Sequence, residues 1–201
     1  MSPANSSDDK FFQILMKTSS GLRHLIQNRA DDLGLNQTEA RILMFVIQHP
    51  DKRSTITNMA TEFNRTKPTI SNHVDSLVEQ GLLDRTPSAE DRRRTDIAFT
   101  RDGRSRARKL LNWPENFTPP SDTLSSEEMA SIHEYLLSFL DRMHELGDLP
   151  VAKTCTSCRY LSTADDDSDS YYCEFLDISM GPLDLRVDCE VHERAIASSE
   201  G

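Results

Sequence analysis

The four cysteines of the chain lie close together in sequence, near its C-terminal end. Cys155 and Cys158 form a C-x2-C pair, and Cys173 and Cys189 follow at longer spacings. One close pair of thiolates with two distant ones is a ligand pattern of tetrahedral metal sites, and metal binding can replace the core that a small acidic module lacks. The spacing therefore predicts a zinc site with these four ligands, and His192 is an alternative fourth ligand.

An iron–sulfur cluster is the alternative cofactor, because it uses the same four thiolates. Zinc would make the module a structural cap or a slow thiol switch, whereas a cluster would make it a redox or iron sensor. Between the second and third cysteines lies an acidic run, residues 165–169. It lacks the alternation and the distant glutamate of a calcium-binding EF-hand loop. We expect a solvated insertion there.

A second group of residues has the chemistry of DNA recognition. The first turn of a predicted helix carries hydrogen-bonding side chains: Thr66, Lys67, Thr69, Ser71, Asn72 and His73. Asparagine is suited to a bidentate contact with adenine. A polar loop further along ends in Asp91, Arg92, Arg93 and Arg94. Its arginines suit phosphates or the minor groove, and we expect Asp91 to hold one of them in position.

The charge is distributed unevenly along the chain. The 201 residues carry a formal net charge of -10. Residues 53–109 nevertheless hold 12 Arg and Lys against 8 Asp and Glu, whereas residues 147–201 hold 4 against 12. A positive block within an acidic chain is typical of a protein that binds DNA with one part and keeps the rest away from phosphate.

Apolar periodicity predicts the elements that position these groups. An amphipathic helix over 10–33 is followed by a helix that begins at Asn36 with a capping box to Glu39 and stops before Pro50. The remaining predicted elements are helices at 56–63, 67–80 and 102–111, two extended runs at 82–86 and 95–100, and a helix from Ser125 to Leu146. The fold class is mainly α (α+β), a winged helix-turn-helix with long N- and C-terminal dimerisation helices and a small C-terminal metal-bound module.

Five segments follow from this pattern. They are an N-terminal tail and dimerisation helix (1–34), a winged helix-turn-helix DNA-binding domain (35–111), a Pro-rich linker (112–124), a C-terminal dimerisation helix (125–147) and a four-cysteine metal-binding module with a tail (148–201).

The last long helix has the apolar spacing of a heptad seam. Its seam residues are Met129, Ile132, Leu136, Phe139, Met143 and Leu146. The N-terminal helix also carries an apolar stripe, and a small winged helix has little surface with which to cover both. We therefore expect a homodimer that buries both stripes across a two-fold axis. The alternative is that the two helices pack only on their own subunit.

Residues 35–104 resemble the MarR family of winged-helix regulators. The resemblance lies in the sequences PTIS at 68–71, LLDR at 82–85, DRR at 91–93 and IAFTRDG at 97–103. It implies a dimer with intertwined terminal helices and with recognition helices in successive major grooves. It also implies that Asp91 pairs with Arg93 to aim the wing into the minor groove. Asn72 departs from the family, in which many members carry arginine there.

These features together predict a sequence-specific transcriptional regulator, a repressor, that binds double-stranded DNA as a homodimer. We expect it to respond to a small ligand or to metal or redox state. The alternative is a regulator in which an iron–sulfur or thiol module is the redox sensor. An enzyme with Cys–His chemistry and a protein-interaction adaptor are rivals of other classes, but the chain has no HExxH, no Ser/His/Asp arrangement and no glycine-rich phosphate loop.

The sequence predicts a cytoplasmic protein without a membrane span. Its longest apolar run, residues 42–47, is far shorter than the roughly 20 residues that a spanning helix needs. Residues 1–9 have neither the basic flank nor the apolar stretch of a secretory signal.

Overall fold

The computed structural model describes residues 7–49, 54–87, 95–112, 123–163 and 170–195. The chain divides into two compact units, Met1–Trp113 and Pro114–Gly201, here called the N-terminal unit and the C-terminal unit. The described part of the N-terminal unit contains helices α1 (Ser7–Asp32), α2 (Gln37–Gln48), α3 (Ile56–Glu62), α4 (Lys67–Glu79) and α5 (Arg101–Leu111), and strands β1 (Leu83–Pro87) and β2 (Thr95–Phe99).

Side-chain caps fix where the helices begin. At the start of α2, Asn36 Oδ1 accepts from Glu39 N at 3.0 Å, and Glu39 Oε2 accepts from Asn36 N at 2.9 Å. This capping box satisfies two backbone N–H groups that a helix start leaves open. At the other end of α4, Gly81 has a φ of +69°. A left-handed residue after the last turn is a common helix stop that glycine permits without strain.

The core of the N-terminal unit forms where α2, α3, α4 and the hairpin meet. Ile42 and Leu43 of α2, Met59 of α3, and Ile70 and Leu77 of α4 have no exposed surface. On α4, Ile70, Val74 and Leu77 recur at steps of four and three residues, which puts one apolar stripe on that helix. Each such side chain contributes about 1.5–3 kcal/mol when it leaves water. This burial fixes the orientation of α4.

Strands β1 and β2 form an antiparallel hairpin. Leu83 pairs with Phe99 at its base, and Pro87 pairs with Thr95 at the last described position toward the tip. Ile97 is buried, and its backbone N–H donates to Ser54 O at 2.9 Å. Ala98, between Ile97 and Phe99, is exposed, so the side chains of β2 alternate and one face of the hairpin packs on the core.

The described part of the C-terminal unit contains α6 (Ser126–Glu145), two 3₁₀ turns (Cys155–Ser157 and Pro182–Asp184) and strands β3 (Leu161–Thr163), β4 (Tyr171–Cys173) and β5 (Ile178–Met180). The strands form an antiparallel sheet in the order β3-β4-β5. Leu137 of α6 packs in one apolar cluster with Met180, Leu185 and two cysteines. The predicted helix 125–147 and the predicted module 148–201 thus share one unit. Most of the predicted linker, residues 113–122, lies outside the described residues.

Two helices carry apolar side chains that are exposed in the structure. On α6 these include Ile132 and Leu136 of the predicted seam, which are 43 and 41% exposed, and Leu146 of the seam, the C-cap of α6, is 62% exposed. On α1, Ile14 and Met16 are 63 and 66% exposed. None of the helices in the described ranges is both long and apolar enough to cross a lipid bilayer.

Candidate nucleic-acid interface

The N-terminal turn of α4 is polar and open to solvent. Thr66 is its N-cap, and the Thr66 hydroxyl accepts from Thr69 N at 3.3 Å and lies 2.8 Å from Thr69 Oγ1. Pro68 occupies the first turn, where no backbone donor is required. Lys67 is exposed beside it. A helix N-terminus carries partial positive charge, and the lysine adds a full charge, so this turn attracts phosphate.

The two faces of α4 have different chemistry. Ile70, Val74 and Leu77 are fully buried in the core. Of the predicted base-reading residues, Thr66, Lys67 and Asn72 are exposed, and Thr69, Ser71 and His73 are half-buried. The structure therefore places all six on the part of α4 that lies outside the core. A helix so oriented can enter a major groove about 12 Å wide with its polar turn forward.

Arg85 of β1 holds α4 against the hairpin. Its Nη2 donates to Ser71 O at 3.2 Å and to Ser71 Oγ at 3.0 Å. The same nitrogen lies 2.8 Å from Asp75 Oδ1. Sequence reasoning did not single out Arg85 as part of the site, and it assigned Ser71 only to DNA. The signal that could have identified Arg85 is an arginine at an exposed position on β1, because its side chain is long enough to contact a neighbouring helix.

The wing residues Asp91, Arg92, Arg93 and Arg94 lie outside the described residues. Residues 88–94 join the described ends of β1 and β2, at Pro87 and Thr95. The predicted roles of these four residues stay predictions. What the structure describes is the base of the wing, which Arg85 fixes beside the recognition turn.

The four cysteines gather in the C-terminal unit. Cys155, Cys173 and Cys189 are buried, at 6, 8 and 4% exposure, and Cys158 is half-buried. All four are free thiols. Burial raises the pKa of Cys155, the N–H of Arg186 opposes that effect, and the charges of Cys189, Cys158 and Cys173 raise the pKa further.

His192 has a different set of contacts. Its Nε2 lies 3.1 Å from Ser157 Oγ, and its backbone N–H donates to Cys189 O at 3.4 Å. Burial and the charge of Arg194 lower its pKa. Among the residues that the structure describes, no three His, Cys, Asp or Glu side chains stand in a ready-made metal-binding arrangement. The metal site stays a prediction from the sequence.

Helices α3 and α4, followed by a two-stranded hairpin beside the polar end of α4, define a winged helix-turn-helix. Residues 33–94 match the model of the MarR family. The family match covers the recognition helix and the wing and ends before the first cysteine. MarR proteins are transcriptional regulators, and the match confirms the prediction that the chain is not an enzyme.

A curated relative extends the similarity beyond this segment. The chain is 28% identical over 142 residues to the HTH-type transcriptional repressor YetL of Bacillus subtilis (strain 168). The alignment covers 69% of this chain and 84% of YetL. The remaining part of the chain has no counterpart in that alignment.

Solved structures share the fold. The MepR–DNA complex of Staphylococcus aureus is 20% identical with a TM-score of 0.57, and it covers 69% of this chain and 99% of its own. A structure of MepR described as a transcription regulator of the multidrug efflux pump MepA is 21% identical with a TM-score of 0.51 and the same two coverages. These likenesses confirm the winged-helix fold that the sequence predicts.

Proposed function

We propose that this protein is a transcriptional repressor of MarR type that binds specific sequences of double-stranded DNA as a homodimer. The observation that carries the proposal is the exposed polar turn of α4, fixed beside β1 by Arg85. Two relatives support it: YetL is named a repressor, and MepR has been solved in complex with DNA.

Each predicted contact has a distinct chemical role. Lys67 and the N-terminus of α4 bind phosphate, which positions the helix but does not select a sequence. Asn72 is exposed one turn along the helix and can pair with adenine N6 and N7. Thr69 and His73 contact base edges beside it. Arg92, Arg93 and Arg94 bind the minor groove or its phosphates, with Asp91 orienting one of them.

The test uses a duplex selected from a random-sequence pool by repeated binding to the purified full chain. Fluorescence anisotropy then measures Kd for the selected duplex and for a scrambled one over a range of KCl concentrations. Replacement of Arg92, Arg93 and Arg94 by alanine should weaken binding to both duplexes and reduce the salt slope by about 1 for each phosphate that the variant no longer neutralises. Asn72→Ala should weaken binding to the selected duplex only, roughly 5- to 150-fold.

The matched control removes three cations elsewhere. Arg23, Arg142 and Arg159 are exposed on the described surface, and their replacement by alanine changes the net charge by the same amount. The proposal requires that this control retain the salt slope of the wild type. If the wing variant and the control bind with equal slopes, or if the selection enriches no sequence, the proposed interface is wrong.

Dimerisation is proposed from the exposed apolar residues of α1 and α6. Leu136 and Ile132 lie on the predicted seam of α6 and are more than two-fifths exposed in the protomer. Leu136→Glu should shift the sedimentation coefficient from dimer toward monomer, since it puts a charge into the seam. Val187→Glu is the control, because Val187 is exposed but lies on neither helix. A dimer that survives Leu136→Glu together with Ile132→Glu would exclude the seam.

A signal is proposed to set DNA affinity. One candidate is a small anion in an open groove of about 930 Å³ in the N-terminal unit, lined by Arg101, Arg104, Arg108 and Lys109 with the apolar Ile47 and Leu111. The other is metal or redox state at the cysteines. Benzoate, a zinc chelator and hydrogen peroxide are the probes, each added to the anisotropy assay. A change of Kd with benzoate alone supports the groove, and a change with chelator or peroxide supports the cysteines. A Kd unchanged by all three contradicts regulation at either place.

A further inference from the structure

Backbone pairing brings Cys155 and Cys189 together. Cys155 N donates to Arg186 O at 3.0 Å, and Arg186 N donates to Cys155 Sγ at 3.2 Å. Three residues beyond Arg186, Cys189 N donates to Lys153 O at 3.0 Å. The segment 153–155 therefore runs beside the segment 186–189, with a cysteine on each.

A second set of backbone contacts brings Cys158 and Cys173 together. Cys158 follows Cys155 through a 3₁₀ turn, in which Cys158 N donates to Cys155 O at 2.9 Å. Leu161 N then donates to Cys158 O at 3.2 Å, and Leu161 is the direct partner of Cys173 in the β3–β4 ladder. Partners in an antiparallel ladder have Cα atoms about 4.5–5.5 Å apart. Four cysteines from three separate stretches of chain thus share one region.

The surroundings of these thiols suit a closed metal site. Cys155 and Cys173 pack against Leu137, Met180 and Leu185. The N–H of Arg186 that points at Cys155 Sγ is a donor that stabilises a sulfur bearing negative charge. The sheet beside them has strands of only three residues. So small an apolar cluster has little to hold it folded unless a metal adds binding free energy.

We propose that Cys155, Cys158, Cys173 and Cys189 bind one zinc ion tetrahedrally, and that the ion holds the C-terminal unit in its folded form. Among the described residues, the cysteine side chains are not arranged as a metal site. Zinc binding therefore requires the four sulfurs to turn toward a common centre. Cysteine side chains do this by changing between staggered rotamers. Each thiol loses its proton on binding and coordinates as thiolate. His192 stays outside the coordination shell, beside Ser157.

The experiment starts with the full chain purified without added metal and without oxygen. Elemental analysis should find one zinc per chain and no iron, and the visible spectrum should lack cluster absorbance. After exchange with Co²⁺, the protein should show thiolate charge-transfer bands and the intense d–d bands of a tetrahedral site. Chelation should remove the strand and turn signals of the C-terminal unit from the amide NMR spectrum, and Zn²⁺ should restore them.

Single substitutions distinguish the residues that bind zinc from residues that only lie close to the site. Each of Cys155→Ser, Cys158→Ser, Cys173→Ser and Cys189→Ser should reduce zinc from one per chain toward none, whereas His192→Ala should retain it. Because a cysteine variant can fail to fold, the Co²⁺ spectrum of the wild type stands as an independent measurement. Absence of tetrahedral cobalt bands, an iron–sulfur spectrum, or full zinc content in a cysteine variant overturns the proposal. None of these measurements involves DNA, so they can contradict the zinc site without contradicting the proposed DNA-binding function, and the reverse also holds.

Discussion

Arg85 and Asp75 join the wing to the recognition helix, with Arg85 Nη2 2.8 Å from Asp75 Oδ1. Their side chains are 32 and 53% exposed, so the ion pair itself contributes little stability, about 0–1 kcal/mol. Its effect is geometric, because the same guanidinium also binds Ser71. The interaction fixes the angle between α4 and the hairpin, the two parts that the proposed function places in neighbouring grooves.

We therefore expect Arg85→Ala to weaken DNA binding more than it lowers stability. Without this tie the core still holds α4 and the hairpin, but their relative angle is less tightly fixed. A reduction in preorganisation of about 1 kcal/mol corresponds to about a fivefold higher Kd. Anisotropy and urea unfolding measure the two effects. Arg142→Ala is the control, since in the part of the chain that the structure describes Arg142 pairs with Glu145 of the same helix, at 3.1 Å. An unchanged Kd for Arg85→Ala would show that the tie has no part in binding.

The sequence predicted the local elements of the fold well. The predicted capping box at Asn36–Glu39 is present, and Ser125, where the last helix was predicted to begin, forms a second box with Glu128. Both depend on residues three apart in sequence. The hydrogen bonds that the Glu39 side chain makes to another helix were not predicted. Its Oε1 accepts from Ser76 Oγ at 2.7 Å and from Gln80 Nε2 at 3.3 Å, and no local spacing encodes such hydrogen bonds between helices.

In the candidate sites, too, local features were predicted from the sequence, whereas contacts between elements were not. The polar turn of α4 was predicted from residue types, and its exposure follows from the buried stripe on the opposite face. The Arg85 tie and the cross-strand partner of Cys173 depend on tertiary pairing. The sheet of the C-terminal unit was not predicted, because strands of three residues are too short for an alternating pattern to appear.

A buried carboxylate organises the C-terminal unit. Asp141 is 8% exposed. Its two oxygens each lie 2.6 Å from Thr154 Oγ1, and Thr156 Oγ1 donates to Oδ2 at 2.5 Å. Arg194 Nη2 approaches Oδ1 at 3.5 Å. The cluster ties α6 to the segment that carries the first cysteine.

We expect Asp141→Asn to destabilise the C-terminal unit by about 1–3 kcal/mol, because an amide puts a donor against hydroxyl groups that now donate. Urea unfolding followed by the amide signals of residues 152–158 measures the change. Asp148→Asn is the isosteric control at an exposed position. Equal unfolding midpoints for the two variants would contradict a structural role for Asp141.

The capping box of α6 predicts a pH dependence. The backbone N–H of Ser125 donates to Glu128 Oε2 at 2.8 Å, and this bond, followed by the bond with the Ser125 side chain, lowers the pKa of Glu128 below its ordinary value. Because folding lowers the pKa of Glu128, the stability that Glu128 contributes is complete above its unfolded-state pKa. That stability is lost as the pH falls through its folded-state pKa. The helix start should therefore fray only in the acidic range.

Carbon-detected NMR titration of the Glu128 carboxyl tests this. The wild type should titrate below an ordinary glutamate, and Ser125→Ala should move the pKa upward, because it removes the side-chain bond that the box contributes. A Glu128 carboxyl that titrates identically in the wild type and in Ser125→Ala would count against the box.

Two glycines predict opposite responses to alanine. At Gly103 of α5, an added Cβ would lie 1.7 Å from Leu82 O and 2.6 Å from Leu82 C. Both atoms belong to backbone, which cannot move aside as a flexible side chain does. At Gly21 in α1, an added Cβ would meet nothing within 4 Å. Alanine is a better helix former than glycine by about 0.5–1 kcal/mol.

Gly103→Ala should therefore destabilise the N-terminal unit by about 3 kcal/mol or more, since α5 must separate from the base of the hairpin. Gly21→Ala should leave stability unchanged or raise it slightly. Thermal unfolding monitored by far-UV circular dichroism compares the two Tm values with that of the wild type. The close approach of α5 to Leu82 is refuted if Gly103→Ala unfolds at the same temperature as Gly21→Ala.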